Sequence, residues 1–313
     1  MSGSEVLIQQ LIIGLSNGMI IALIALGYTM VYGIVELINF AHGDLFMLGC
    51  FCALTIVGLC GFLPVPFVIV ILLLLAPLFC GGLNWLTDRL AYRHLRNSTK
   101  LAPLVSAIGV SFVFINLGLF WGGIPMEVFG LGKAAAAPKD FPALVSNMNF
   151  FGDSNIQFTP KDAMVIGVTL PLMLALTWYV KRTRAGKALR AVAQNRVAAQ
   201  LMGIPVDKVI GQTFFIGGAL GGVGSVVFAL YNNTIYFQMG YRAGIDAFTA
   251  AVLGGIGSLP GAVLGGLVIG FVRAFSDQYI ETRWTNVVVF TILVLVLVFR
   301  PAGLLGSKAK EKV

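Results

Sequence analysis

Residues 66–87 read PFVIVILLLLAPLFCGGLNWLT, twenty-two positions without a charged side chain. As a helix rising about 1.5 Å per residue, this stretch matches the roughly 30 Å of hydrocarbon in a bilayer. Outward from it, other stretches long enough to span lie at about 7–27, 102–122, 162–180, 210–230 and 286–299. Two more, about 30–60 and 247–275, are apolar but interrupted. Of the 313 residues, 58% are hydrophobic and 11% charged, whereas soluble domains carry about 25% charged residues. A soluble enzyme, a nucleic-acid-binding domain and a disordered chain are excluded. The expected fold is all-α: a polytopic integral membrane protein with about 8 transmembrane segments in a single domain over 1–313.

The net charge of +8 reports orientation rather than nucleic-acid binding. Arg89, Arg93, Arg96 and Lys100 follow the 66–87 stretch, and Lys181, Arg182, Arg184, Lys187, Arg190, Arg196 and Lys208 crowd 181–208. Those two segments hold 11 of the 21 basic residues and belong in the cytoplasm. Segment 123–161 balances three basic against three acidic residues and reads as the outer loop. The tail lysines Lys308, Lys310 and Lys312 read as cytoplasmic. Only Glu5 is charged before the first apolar run, so that run is not a secretory signal, and its direction is left open.

From 181–208 to a cytoplasmic tail the chain must cross an even number of times. Stretches 210–230 and 286–299 supply two crossings, so 247–275 should enter and leave on one side. Its centre, Leu253-Gly254-Gly255-Ile256-Gly257-Ser258-Leu259-Pro260-Gly261, breaks a helix through glycine flexibility and the proline's missing N–H. A re-entrant or broken helix near 253–261 is favoured over a single crossing. Such backbone survives at membrane depth only inside protein or along a cavity. The other interrupted stretch places Glu36, Asn39, His42, Gly43 and Asp44 between apolar flanks. It reads either as an interfacial turn or as a second broken helix, near 36–44, beside a transport path. Glycine, at 38 residues, is enriched, chiefly for close helix packing.

Reaction chemistry is missing. His42 and His94 are the only histidines and lack a partner at ligand spacing, so no metal site is expected. Cys50, Cys52, Cys60 and Cys80 form no C-x-x-C pair and read as packing thiols. No nucleophile elbow or paired-carboxylate set stands out. Alanine follows both Gly132-Lys133 and Gly186-Lys187, so no Walker A loop is present. No bond chemistry and no cofactor are expected of this chain, and if it transports at the expense of ATP the ATPase is another polypeptide.

Segment 181–208 is the informative polar piece. Ala188–Met202 is rich in helix formers, Gly203 can end that helix, and Pro205 cannot continue it. Its small apolar face suits either a lipid surface or a groove in a partner protein. The run Asn195-Arg196-Val197-Ala198-Ala199-Gln200-Leu201-Met202-Gly203-Ile204 resembles the cytoplasmic coupling loop of ABC importer permeases. ALGYTMVYGI at 25–34, INFAHG at 38–43, FTAAVLGGIGSLPGA at 248–262 and RPAGLLG at 300–306 together resemble the branched-chain amino acid ABC transporter permease family, in its first-subunit branch.

The resemblance implies one permease domain of a bacterial inner-membrane importer for branched-chain or other neutral amino acids. It further implies a second, related permease, two cytoplasmic ATPases that bind ATP and Mg, and a substrate-binding protein. On this view Asn195, Arg196, Ala198, Ala199, Met202, Gly203 and Ile204 couple the chain to an ATPase. Asn39, His42, Gly43, Asp44, Gly254, Gly255, Gly257 and Ser258 line or gate the path. Gln194-Asn195-Arg196 stands where closer relatives carry acidic residues, making this loop more basic. Two rivals remain: a proton-coupled secondary transporter using Glu36, His42 and Asp44, and an ABC permease for urea or short amides.

Overall fold

The computed structural model describes residues 3–35, 39–96, 98–99, 101–130, 134–152, 155–300 and 302–306. The described chain is a helix bundle. In order come α1 (Gly3–Val35), α2 (Ala41–Cys60), α3 (Val65–Thr87), α4 (Leu101–Gly122), α5 (Pro160–Arg182), α6 (Arg184–Gln194), α7 (Arg196–Leu201), α8 (Val206–Asn232), α9 (Met239–Gly254), α10 (Leu259–Ser276) and α11 (Thr282–Phe299). A π-helical turn at Asp88–Tyr92 and a 3-10 turn at Arg93–Leu95 extend α3.

At the centre, α1 packs lengthwise along α10, with α8 and α9 beside it and α2 crossing α8 and α9. Small residues make the close approach possible. A Cβ added at Gly18 would sit 2.9 Å from the Leu267 Cα, and one at Gly266 only 2.7 Å from the Ala22 Cα. Around this core, α4, α5 and α11 turn large apolar side chains outward, among them Phe112, Phe120, Trp178 and Val298. Lipid chains accept such faces as readily as a protein core does.

Hydrogen bonds set the direction of each helix. Ser16 on α1 donates to Asp162 Oδ1 at 2.6 Å, at the start of α5 and next to the outer segment. At the other end, Arg196 Nη2 donates to the Ile34 carbonyl at 2.8 Å, in the basic 181–208 segment. Thus α1 begins on the side of segment 123–161 and runs toward the basic segment, a direction the lone Glu5 could not decide. The direction then alternates through α2, α3, α4 and α5, and again from α8 to α11, which runs inward.

Seven helical stretches among the described residues are long and apolar enough to cross a membrane. The last, Leu259–Phe299, has 41 residues and as one straight rod would measure about 62 Å, twice the hydrocarbon thickness. It bends instead at a π-helical turn ending in Glu281, whose φ is 115°, and α11 folds back against α9. Read as two passes, α10 and α11 bring the full-length helices to the expected eight or so, with the shorter α9 in addition.

The two interrupted stretches resolve differently. The 247–275 stretch is a helical hairpin that enters and leaves on the outer side, but its first arm starts at Met239, earlier than the apolar run suggests. Asp246 bounds that run in the sequence, yet an ion pair with Arg273 lets it sit inside the bundle. The 30–60 stretch is a corner between α1 and α2, with Asn39 just before α2 and His42, Gly43 and Asp44 in its first turn. Glu36 lies outside the described residues, as do Lys308, Lys310 and Lys312.

The outer segment is a folded cap. Within it, β1 (Lys139–Asp140) pairs antiparallel with β2 (Thr234–Ile235) beyond α8, and buried Phe129 stacks on Phe51 with ring centroids 6.1 Å apart.

Candidate functional site

The basic 181–208 segment is built by helix caps. Thr183 accepts from the Gly186 N–H at 3.0 Å to start α6, and Asn195 accepts from the Ala198 N–H at 3.0 Å to start α7. Side-chain oxygens at these positions satisfy N–H groups that the first turn leaves unpaired. Gly203, at φ 80°, turns the chain after α7 toward Ile204 and α8. On α7 the side chains divide. Ala199 is buried against the bundle, whereas Val197, Ala198, Leu201 and Met202 face outward. Leu201 and Met202 are 84% and 82% exposed, an apolar knob in a basic surface.

Arg196, expected among the outward contacts, reaches inward. Its guanidinium sits on the Ile34 carbonyl, where a cation also meets the negative end of the α1 dipole. The start of α8 is anchored as well: Asp207 bonds Arg93 at 2.8 Å and also Arg96, and Arg96 bonds Asp88 at 2.6 and 2.7 Å. The loop carrying α6 and α7 is therefore tied to α1 at one point and α3 at another.

Asn39, His42, Gly43 and Asp44, expected along a path, are buried in the bundle. Asn39 Oδ1 accepts from the Tyr92 hydroxyl at 2.8 Å, and Asn84 Nδ2 donates to the Phe214 carbonyl at 2.6 Å. His42 stands edge-on to Tyr28, ring centroids 4.7 Å apart, among Gly27, Gly217 and Gly221. Gly43 lies against Gly240 and Gly244 where α2 crosses α9. Asp44 accepts from the Ser111 hydroxyl. Neither imidazole nitrogen of His42 bonds to Asp44 among the described residues.

Gly254, Gly255, Gly257 and Ser258 form the turn of the α9–α10 hairpin, separate from that cluster. Gly255 and Gly257 take φ of 102° and 89°, a region that penalises any side chain. Gly254 lies so close to the Gly261 carbonyl that a Cβ would overlap it. The Ser258 hydroxyl caps α10 by accepting from Gly261 N–H at 3.2 Å. Residues of the closing sequence clamp the turn, Leu304 N–H donating to the Leu253 carbonyl at 2.8 Å and Leu305 N–H to that of Gly254 at 2.9 Å. The turn sits at the cytoplasmic end of α1, the Gly257 Cα 3.6 Å from where a Gly33 Cβ would be. Ser258→Ala removes the cap at a cost of about 1 kcal/mol. Hydrogen exchange should then quicken in peptides covering 255–262 and stay unchanged in α8.

Sequence reading missed three polar ties, two of them ionic. The Asp88–Arg96–Asp207 group joins residues far apart in the chain, and so does Ser16–Asp162, which the Tyr231 hydroxyl completes at 3.2 Å. Asp246–Arg273, at 2.6 Å, is the third. Ionisable residues within apolar stretches are themselves a signal, but spacing alone does not say which pair.

Residues 10–297 match the family described as "Branched-chain amino acid transport system / permease component". The chain is 38% identical to the high-affinity branched-chain amino acid transport system permease protein BraD of Pseudomonas aeruginosa, over 98% of each sequence. It is 40% identical to the permease protein LivH of Escherichia coli strain K12, named for the same kind of system, over 98% of this chain and 97% of that one. Among solved structures, PsaBC from Streptococcus pneumoniae in complex with Fab aligns with 93% of this chain and 91% of its own, at TM-score 0.44 and 12% identity.

Proposed function

This chain belongs to the branched-chain amino acid transport permease family, and we propose that it is the translocating subunit of an ATP-driven importer for leucine, isoleucine and valine. It is a multi-pass protein of the inner membrane and a transport subunit, not an enzyme. Its relatives imply no cofactor in this chain. ATP and Mg are held by two cytoplasmic ATPases, and a second permease of the same family completes the pathway. A binding protein outside delivers the substrate and does most of the selecting.

The observation that carries the coupling part is the exposed apolar knob on α7. Val197, Ala198, Leu201 and Met202 seat in an ATPase groove. Asn195, Gly203 and Ile204 hold the helix in place, and Ala199 locks it to the bundle. Through Arg196 on the Ile34 carbonyl, movement of α7 is passed to the end of α1 beside the Gly254–Ser258 turn. That arrangement suits a gate with two packed states at the inner end. Asn39, His42, Gly43 and Asp44 act in the same gate, as the packed crossing of α2 on α9.

The test is to isolate the full chain from its native membrane and assay ATPase activity in what accompanies it. Co-purifying ATPases stimulated by a binding protein loaded with leucine, isoleucine or valine are the expected result. Stimulation by urea or short amides instead would reassign the substrate. A lone chain that moves solute on a proton gradient would overturn the reading.

A further inference from the structure

Toward the outer side of the bundle lies a cavity of about 370 Å³ that the gate does not use. Its volume is at the lower end of the roughly 300–1,000 Å³ range of small-ligand sites. One wall is apolar, formed by Ile20, Ile21 and Ile24 of α1 with Phe46 and Phe228. The other lining is charged, with Asp246 and Arg242 from α9, Arg273 from α10 and Asp277 from the π-helical turn after it. Two positive and two negative groups leave this wall without net charge.

The charged wall has unused capacity. Arg273 is 94% buried, being 6% exposed. Its Nη2 serves both Asp246, at 2.6 Å, and Asn286, at 3.0 Å. Its Nε and Nη1 have no partner among the described residues and less than 1 Å² of exposed surface each, so a ligand reaches them only after a small shift of the wall. Buried donors without acceptors are costly, and a guanidinium suits a carboxylate better than any other cation does. A small molecule with a carboxylate, an ammonium group and a branched apolar end matches all three features of the cavity.

We propose that this cavity is a transient subsite for a free aliphatic amino acid in its zwitterionic form, its carboxylate on Arg273, its ammonium group beside Asp246 and its side chain against Ile20, Ile24 and Phe228. The inference rests on the transport reading above and adds a residue-level stop on the route. A site along a path must bind strongly enough to admit its substrate and weakly enough to release it, which puts its affinity at roughly 1 mM.

The test is equilibrium binding of radiolabelled L-leucine to the purified full chain in lipid nanodiscs, with the binding protein absent. Saturable binding is expected. L-Isoleucine and L-valine should compete, whereas 4-methylpentanoate, which lacks the amine, and 3-methylbutylamine, which lacks the carboxylate, should compete at least tenfold less well. Ile24→Trp fills the apolar side without touching the ion pair and should weaken binding at least tenfold; Arg273→Gln should do the same. Combining Asp246→Arg with Arg273→Asp keeps an ion pair but reverses it. If that double variant binds leucine like the parent, the pair serves only to join α9 to α10 and the proposal falls. It falls also if leucine does not bind saturably, or if Ile24→Trp leaves binding unchanged. Co-purification of ATPases, measured on the same preparations, reports separately on the transport reading.

Discussion

Replacing Ala198 by aspartate should reduce amino-acid uptake by the reconstituted complex roughly a hundredfold while the isolated chain melts at its usual temperature. Ala198 is exposed on α7, so in the free chain the new carboxylate stays in water. In a packed subunit contact the same charge is desolvated without a partner, at a cost of about 3 kcal/mol or more. Ala199→Asp provides the contrast. That position is buried at 3% exposure, so the charge should unsettle the chain itself and lower its melting temperature. Uptake in proteoliposomes and thermal unfolding in detergent read the two effects apart. Unchanged uptake with Ala198→Asp would remove α7 from the ATPase contact.

Gly266→Leu should produce the largest loss of folded protein. Even one methyl group at Gly266 would come within 2.7 Å of the Ala22 backbone, and neither α1 nor α10 can yield without opening the centre of the bundle. Overpacking of this kind costs about 3 kcal/mol or more, and close helix contact is a main source of cohesion where water contributes no driving force. Gly109→Leu and Gly167→Leu are the controls, because nothing lies within 4 Å of a Cβ at either position. Thermal stability in detergent should fall sharply for Gly266→Leu and stay near the parent value for the other two. A parent-like Gly266→Leu would show that α1 and α10 are less closely packed than described.

The contrast between these glycines shows where sequence reading stops. All three sit in apolar stretches and look alike in the sequence, yet one is at a helix crossing and two are in open space. Arg196 is similar: as part of a basic loop it counts toward orientation, but its role as a tie to α1 depends on where Ile34 ends up. By contrast, Gly255 and Gly257 were legible as a helix break because the requirement is local, set by backbone torsion. Gly203 was legible for the same reason, as a terminator, but the cap at Asn195, which splits the expected Ala188–Met202 helix into α6 and α7, was not.

From its residues alone, the sequence determined that this protein crosses the membrane repeatedly, where the basic residues gather, where the hairpin turns and which loop carries the short helix. Each rests on a short-range rule: the length of an apolar run against bilayer thickness, the placement of basic residues, and the torsions that glycine and proline impose. Only the tertiary structure decided which helices are central, which side α1 starts from, that Asp246 answers Arg273, and that the outer segment folds into a cap. Helices α1 and α4 have the same mean hydropathy in their most apolar windows, yet those windows are 89% and 17% buried. Lipid and protein interior are equally apolar solvents, so burial leaves no mark on hydrophobicity, and only the fit of side chains and backbones between helices separates inside from outside.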